Sequence, residues 1–97
     1  MRIEYHPLTV SELNNAVVYY NQQRARLGDE LRTEVYATID RVRASPLQYT
    51  IIERGMRRCF AHRFPYAVLF RIASEDAVRV LVIRHHGRHP SFGLGRR

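Results

Sequence analysis

The chain has 97 residues, one cysteine and a net charge of +7, which predicts one domain with a modest core and no internal disulfide. Hydrophobic residues make up 45% of it, too many for a disordered chain, yet no apolar run approaches the roughly 20 residues of a membrane span. The opening MRIEYHP lacks the apolar core of a signal peptide, so a cytoplasmic protein is the expectation.

Taken in order, Ile3 and Tyr5 alternate with Glu4 and His6, which predicts a short strand closed by Pro7. Thr9-Val10-Ser11-Glu12 has the form of a capping box, with Thr9 as N-cap. Val10, Leu13, Val17 and Tyr20 follow at helical spacing, giving a helix over 10–26 with Gly28 as its C′ residue. Asp29 is placed to cap a second helix over 30–44, whose apolar stripe is Leu31, Val35, Ile39 and Val42. Ser45-Pro46 stops it. So short a connection makes the pair an antiparallel hairpin that must bury its stripes against another layer. Residues 46–55 read as a loop. Three strands are predicted after it: Met56–Phe64, Tyr66–Ala73 and Val78–His85. Pro65 makes the corner between the first two. Val68, Phe70 and Ile72 suit a helix-covered face, and Val78, Val80 and Val82 give the last strand a β-branched face. The tail SFGLGRR is glycine-rich and expected to be loose over 93–97. The fold class is α+β, a β-α-α-β-β-β chain with an antiparallel sheet and the helical hairpin on one face, in a single domain over 1–97.

The charge is one-sided. Residues 1–50 hold six arginines and six carboxylates, whereas residues 51–97 hold ten arginines, three carboxylates and four of the five histidines. All sixteen basic residues are arginine. Codon preference explains the missing lysine but not the asymmetry. Arginine's planar fork suits carboxylate or phosphate, and an acidic partner, protein or nucleic acid, explains the placement. Arg57, Arg58, Arg63, Arg71, Arg79, Arg84 and Arg88 fall on adjacent strands about 4.8 Å apart, so those on the open face form a patch. Phe60, Phe64, Tyr66 and Phe92 lie near it as stacking groups or core. His85, His86 and His89 are close in sequence, but no cysteine or carboxylate in the segment completes a zinc site, so no metal or cofactor is expected. Cys59 reads as a buried thiol. No P-loop, CxxC or dinucleotide fingerprint is present.

The order of these elements, the basic pair Arg57-Arg58, the corner Arg63-Phe64-Pro65-Tyr66, the strand AVLFRI at 67–72 and the ending VLVIRHHGRHP at 80–90 together resemble the ParE/RelE superfamily of type II toxin–antitoxin toxins, and the ParE branch in particular. The resemblance runs from Arg2 to about Phe92. It implies a growth-inhibiting toxin and an antitoxin whose acidic C-terminal segment wraps and neutralises it. ParE-like members poison DNA gyrase; RelE-like members cleave mRNA on the ribosome. The RelE-like nucleases place an arginine just after the aromatic that opens the middle strand, where this chain has Ala67. They place a tyrosine near the C-terminus, where this chain has Phe92, and they use lysines, of which it has none.

Beside an inactive member that serves only as an antitoxin-bound corepressor, two active readings stay open. In the first, the chain binds gyrase and does no covalent chemistry: Arg58, Arg63, Arg71 and Arg84, with Arg88, meet the antitoxin, and the segment with His86, Arg88, His89 and Phe92 contacts the target. In the second, it is a ribosome-dependent endoribonuclease with His62 or His86 as acid or base and Arg63, Arg84 and Arg88 on the phosphate. That reading requires two titratable groups and an arginine to converge in one concave site.

Overall fold

A computed structural model describes residues 1–97. The elements are β1 (Arg2–Tyr5), α1 (Pro7–Gln23), α2 (Leu27–Ala44), a 3-10 turn (Pro46–Gln48), β2 (Ile51–Glu53), β3 (Met56–Phe60), β4 (Tyr66–Ser74) and β5 (Ala77–His85). The strands form one five-stranded sheet in the order β1-β5-β4-β3-β2. The expected arrangement of a helical hairpin and a following sheet is present, with two corrections. β1 runs parallel to β5, so the sheet is mixed rather than antiparallel. The segment expected as a loop contributes β2, which pairs antiparallel with β3. Its short Ile51-Ile52-Glu53 run carries too little alternation to signal a strand, and it becomes one because β3 offers it an edge.

The helix boundaries move for identifiable reasons. Pro7 both closes β1 and opens α1, since its missing N–H costs nothing at the first helical position. His6 is the N-cap, its Nδ1 accepting from the Leu8 amide at 3.1 Å. Thr9 therefore sits within the first turn of α1 instead of capping it, fully buried, and Val10 faces outward with about half its surface exposed. The stripe that packs is Thr9, Leu13 and Val17. Gly28 lies inside α2 instead of ending α1. There the hairpin is at its tightest: a Cβ on Gly28 would lie 2.0 Å from the Val17 carbonyl oxygen. Arg26, at φ 68°, makes the left-handed link between the helices. The α2 stripe Leu31, Val35, Ile39 and Val42 is buried as its spacing predicts.

The sheet has an apolar cluster on each face. Under the helices, Leu13, Val17, Leu31, Val35 and Ile39 meet Phe64, Tyr66, Val68, Val80 and Ile83, and Val42 meets Cys59, Phe70 and Val78. On the other face Met56, Ala67, Leu69, Leu81 and Val82 pack together under Phe92 and Leu94. The alternation predicted for β5 is broken in the middle. Leu69 of β4 pairs with Val82 and Phe70 with Val80, which leaves Leu81 as an extra residue, a β-bulge. Val78 and Val80 keep the helix side, while Val82 is turned to the opposite face beside Leu81.

The bulge also settles the tail, which is not loose as its glycines suggest. β1 reaches only as far as Val80 along β5, so the Leu81 carbonyl has no strand partner. It accepts from Thr9 Oγ1 at 2.8 Å and from Arg96 Nη1 at 3.1 Å. Arg96 is held in turn by both carboxylate oxygens of Glu12, at 2.6 and 2.7 Å. Gly93, at φ 81°, lies flat on Val82, where a Cβ would approach the valine to 2.4 Å. Thr9 and Glu12, the two residues of the apparent capping box, thus serve a carbonyl and a guanidinium distant in sequence.

Gly28→Ala tests the hairpin. An exposed helical glycine gains about 1 kcal/mol on replacement by alanine, but here the methyl meets backbone, and overpacking costs about 1–3 kcal/mol or more. Urea unfolding is expected to show a net loss of stability; a gain would mean the helices separate without cost.

Candidate functional site

β3, β4 and β5 carry the predicted arginines, and their surroundings differ. On the face away from the helices, Arg58 of β3 stands beside Leu69 and Arg84 of β5 beside Ala67. Arg58 lies over the Phe60 ring at 4.6 Å, and the His86 ring meets the same phenyl edge-on at 5.5 Å. Phe60 is half exposed, so it is a surface platform and not core. Arg84 donates to the Pro90 carbonyl at 2.6 Å. Burial, and then the charge of Arg58, lower the Arg84 guanidinium below the ordinary arginine range. Arg58 and Arg84 are thus like charges in one electrostatic neighbourhood, and neither forms an ion pair with a carboxylate of the chain.

The other arginines are engaged internally. Arg63, at φ 68° in the corner before Pro65, is bonded to Glu30 of α2, which also binds Arg24 at 2.9 Å. These two partners, Arg63 first, hold the Glu30 carboxyl below the usual range. Arg79 pairs with Glu4 at 3.8 Å. Arg57 donates to the Tyr49 carbonyl at 2.8 Å and Arg71 to the Arg54 carbonyl at 2.6 Å, so both fasten turns.

A second site lies where α1 passes the end of β5. Glu12, Asn15, Tyr19, Tyr66, His85, Arg88 and Phe92 line a hollow of about 270 Å³. Tyr66 is buried against Tyr20, with centroids 6.3 Å apart, and His85, with centroids 5.1 Å apart. Burial, with Tyr20 as the second cause, pushes its phenol up to about 12. His85 Nδ1 accepts from the Gly87 amide at 2.8 Å, which leaves Nε2 as its donor. Arg88 forms no ion pair and stacks on Phe92 at 4.6 Å. Arg96 stacks on the same ring at 5.2 Å.

The predicted site residues are not gathered in one place. Arg88 and Phe92 share the α1 hollow with His85. His62 lines a different hollow with Arg41, Arg58 and Phe60, and Glu34 binds its backbone amide at 2.7 Å. Arg63 lines a third, with Glu30 and Glu34. His89 lines a fourth, with Glu53, Pro90 and Leu94, and its Nδ1 lies 2.7 Å from Ser91 Oγ. No group of three His, Cys, Asp or Glu side chains is placed to hold a metal. Cys59 is buried, and no helix is long and apolar enough to cross a membrane. Sequence reasoning missed Tyr19, Glu12 and Arg96 as parts of the site. Only contacts between the two ends of the chain mark them.

The model of one protein family, the ParE toxin of type II toxin–antitoxin system, parDE, matches residues 3–90. No curated protein matches the chain. Among solved structures, a chain of the chromosomal ParDE TA system from P. aeruginosa superposes with a TM-score of 0.76 at 13% identity, over 88% of this chain and 95% of that one. At that identity the likeness is one of fold.

The Tyr66 phenol gives a pH signature. Its folded pKa of about 12 lies above the ordinary value near 10. The unfolded chain therefore releases this proton first, and the folded state loses stability as pH rises from about 10 towards 12. Chemical unfolding followed across that window is expected to show a decline that is smaller in Tyr66→Phe.

Proposed function

The chain belongs to the ParE toxin family of type II toxin–antitoxin systems, and on that premise we propose that it inhibits growth by binding DNA gyrase and is neutralised by a cognate antitoxin. One observation carries the choice of binding over catalysis. The groups that the ribonuclease reading needs are dispersed: His62 lines one hollow, Arg63 a second and Arg88 a third. In the α1 hollow, which His85 and Arg88 both line, Glu12 is committed bidentately to Arg96, and the Tyr66 phenol at about 12 is far from the near-neutral pKa that an acid or base needs. Of the two histidines expected as alternatives for acid or base, His62 lies in a hollow apart from Arg63 and Arg88, and the His86 ring meets Phe60 edge-on.

The arginines divide by role in this reading. Arg58 and Arg84 present unpaired charge on the helix-free face and receive the acidic segment of the antitoxin. Arg63 is already paired with Glu30 and Arg71 fastens the Arg54 turn, so both contribute less than the sequence suggests. The segment with His86, Arg88, His89 and Phe92 meets the target. Its position beyond β5 leaves it accessible from one end of the sheet.

Supercoiling by purified gyrase, run beside translation in an extract, tests the target. Free toxin is expected to inhibit supercoiling, and stoichiometric antitoxin to restore it. Full gyrase activity at excess toxin would overturn the proposal, and cleavage of transcripts at defined sites would put the ribonuclease in its place. For the antitoxin, Arg58→Ala with Arg84→Ala is expected to weaken the complex by tenfold or more, equivalent to about 1.4 kcal/mol, and to flatten its salt dependence. Arg63→Ala is expected to change the affinity by less. Calorimetry at two salt concentrations measures both.

A further inference from the structure

The segment assigned to the target is short, polar and follows the last strand, a place where a chain ordinarily frays. Here it is fixed from beyond its own end. Arg96 has only 11% of its side chain exposed and Glu12 only 27%. The fork of Arg96 takes both Glu12 oxygens, at 2.6 and 2.7 Å, and Nη1 also reaches the Leu81 carbonyl at 3.1 Å. Its guanidinium then covers one side of the contact chain that leads to the site, lying 5.2 Å from the Phe92 centroid while Arg88 lies 4.6 Å from the same ring. Leu94 anchors the intervening turn in the apolar cluster of the open face.

This arrangement leaves one cation at the hollow unsatisfied. Glu12 is the only carboxylate in its lining, and Arg96 occupies it. Arg88 therefore has no anionic partner in the chain, and the aromatic rings of Tyr19, Tyr66 and Phe92 shield the neighbouring space. At about 270 Å³ the hollow is smaller than the roughly 300–1,000 Å³ of cofactor or drug-sized sites. It is the scale of a side chain.

We infer that Arg96 is a positioning residue: clamped by Glu12 and the bulge carbonyl of Leu81, it holds Phe92 and so presents Arg88 at the α1 hollow, where the target supplies a carboxylate side chain. The inference rests on the reading that the segment from His86 to Phe92 meets the target. A lysine at position 96 keeps one donor to Glu12 but loses the planar fork and its stacking on Phe92, so the role is specific to arginine.

The test compares Arg96→Ala, Arg96→Lys, Glu12→Gln, Arg88→Ala and Phe92→Ala in the full chain. Three quantities are read: the induced toxin level that halves growth, affinity for the antitoxin, and the Nε–H resonance of Arg88, which the Phe92 ring shifts. Arg96→Ala and Glu12→Gln are expected to raise the half-arrest level at least tenfold, to leave antitoxin affinity within threefold, and to return the Arg88 resonance to its unstacked position. Arg96→Lys is expected to fall between them and the unaltered protein. An unmoved Arg88 resonance and unchanged arrest in Arg96→Ala, while Arg88→Ala loses potency, would overturn the positioning role. Full potency in both Arg88→Ala and Phe92→Ala would instead sink the target assignment, with the resonance still reporting whether Arg96 orders the segment. Should Arg96→Ala unfold at the assay temperature, Glu12→Gln, which keeps the bond to Leu81, carries the same comparison.

Discussion

A single extra residue in β5 organises one end of the molecule. Leu81 interrupts the ladder between β4 and β5 at the point where β1 stops alongside them. A carbonyl left there without a partner would cost about 1–3 kcal/mol if it stayed buried and unsatisfied. The chain supplies two donors from opposite ends, the Thr9 hydroxyl and the Arg96 guanidinium. Meeting that one requirement ties the first turn of α1 to the last residues of the chain. The same bulge sends Val82 to the helix-free face, where it completes the second cluster and gives Gly93 a surface to lie on. Core, tail and hollow are consequences of one register shift.

The charge follows a comparable logic. Ten arginines against three carboxylates in the second half look like a uniform basic surface, but the fold spends half of them internally. Carboxylates from the first half, Glu4, Glu12 and Glu30, pair with Arg79, Arg96 and Arg63, and backbone carbonyls take Arg57 and Arg71. Beyond these, Arg58 and Arg84 on the sheet and Arg88 beside the hollow have no carboxylate partner, nor do Arg54 in the β2–β3 turn and Arg97 at the chain end. Exposed ion pairs are individually worth about 1 kcal/mol or less, so the pairing matters less for stability than for which cations remain available to another molecule.

Much of the architecture was legible in the sequence because it is written in local periodicity. The α2 stripe Leu31, Val35, Ile39 and Val42 and the apolar run of β4 landed where their spacing places them, whereas the strand expected over Met56–Phe64 ends at Phe60 and a wider corner leads into Tyr66. The errors share a cause. Thr9-x-x-Glu12 satisfies the local pattern of a capping box, but Pro7 starts the helix earlier, and both residues answer to partners more than seventy positions away. Gly28 reads as a helix terminator yet is there because Val17 approaches too closely for a Cβ. The glycines of the tail suggested looseness, whereas Gly93 permits close contact.

The sequence by itself determined the class of fold, the family and the location of the basic half, since each depends on residue order and composition alone. Only the tertiary structure decided which arginines are free, which histidines stand apart and what holds the segment beyond β5. Those properties depend on pairings between distant residues: a guanidinium is a binding group or an internal brace according to whether a carboxylate from the other end of the chain folds against it, and no local pattern carries that information.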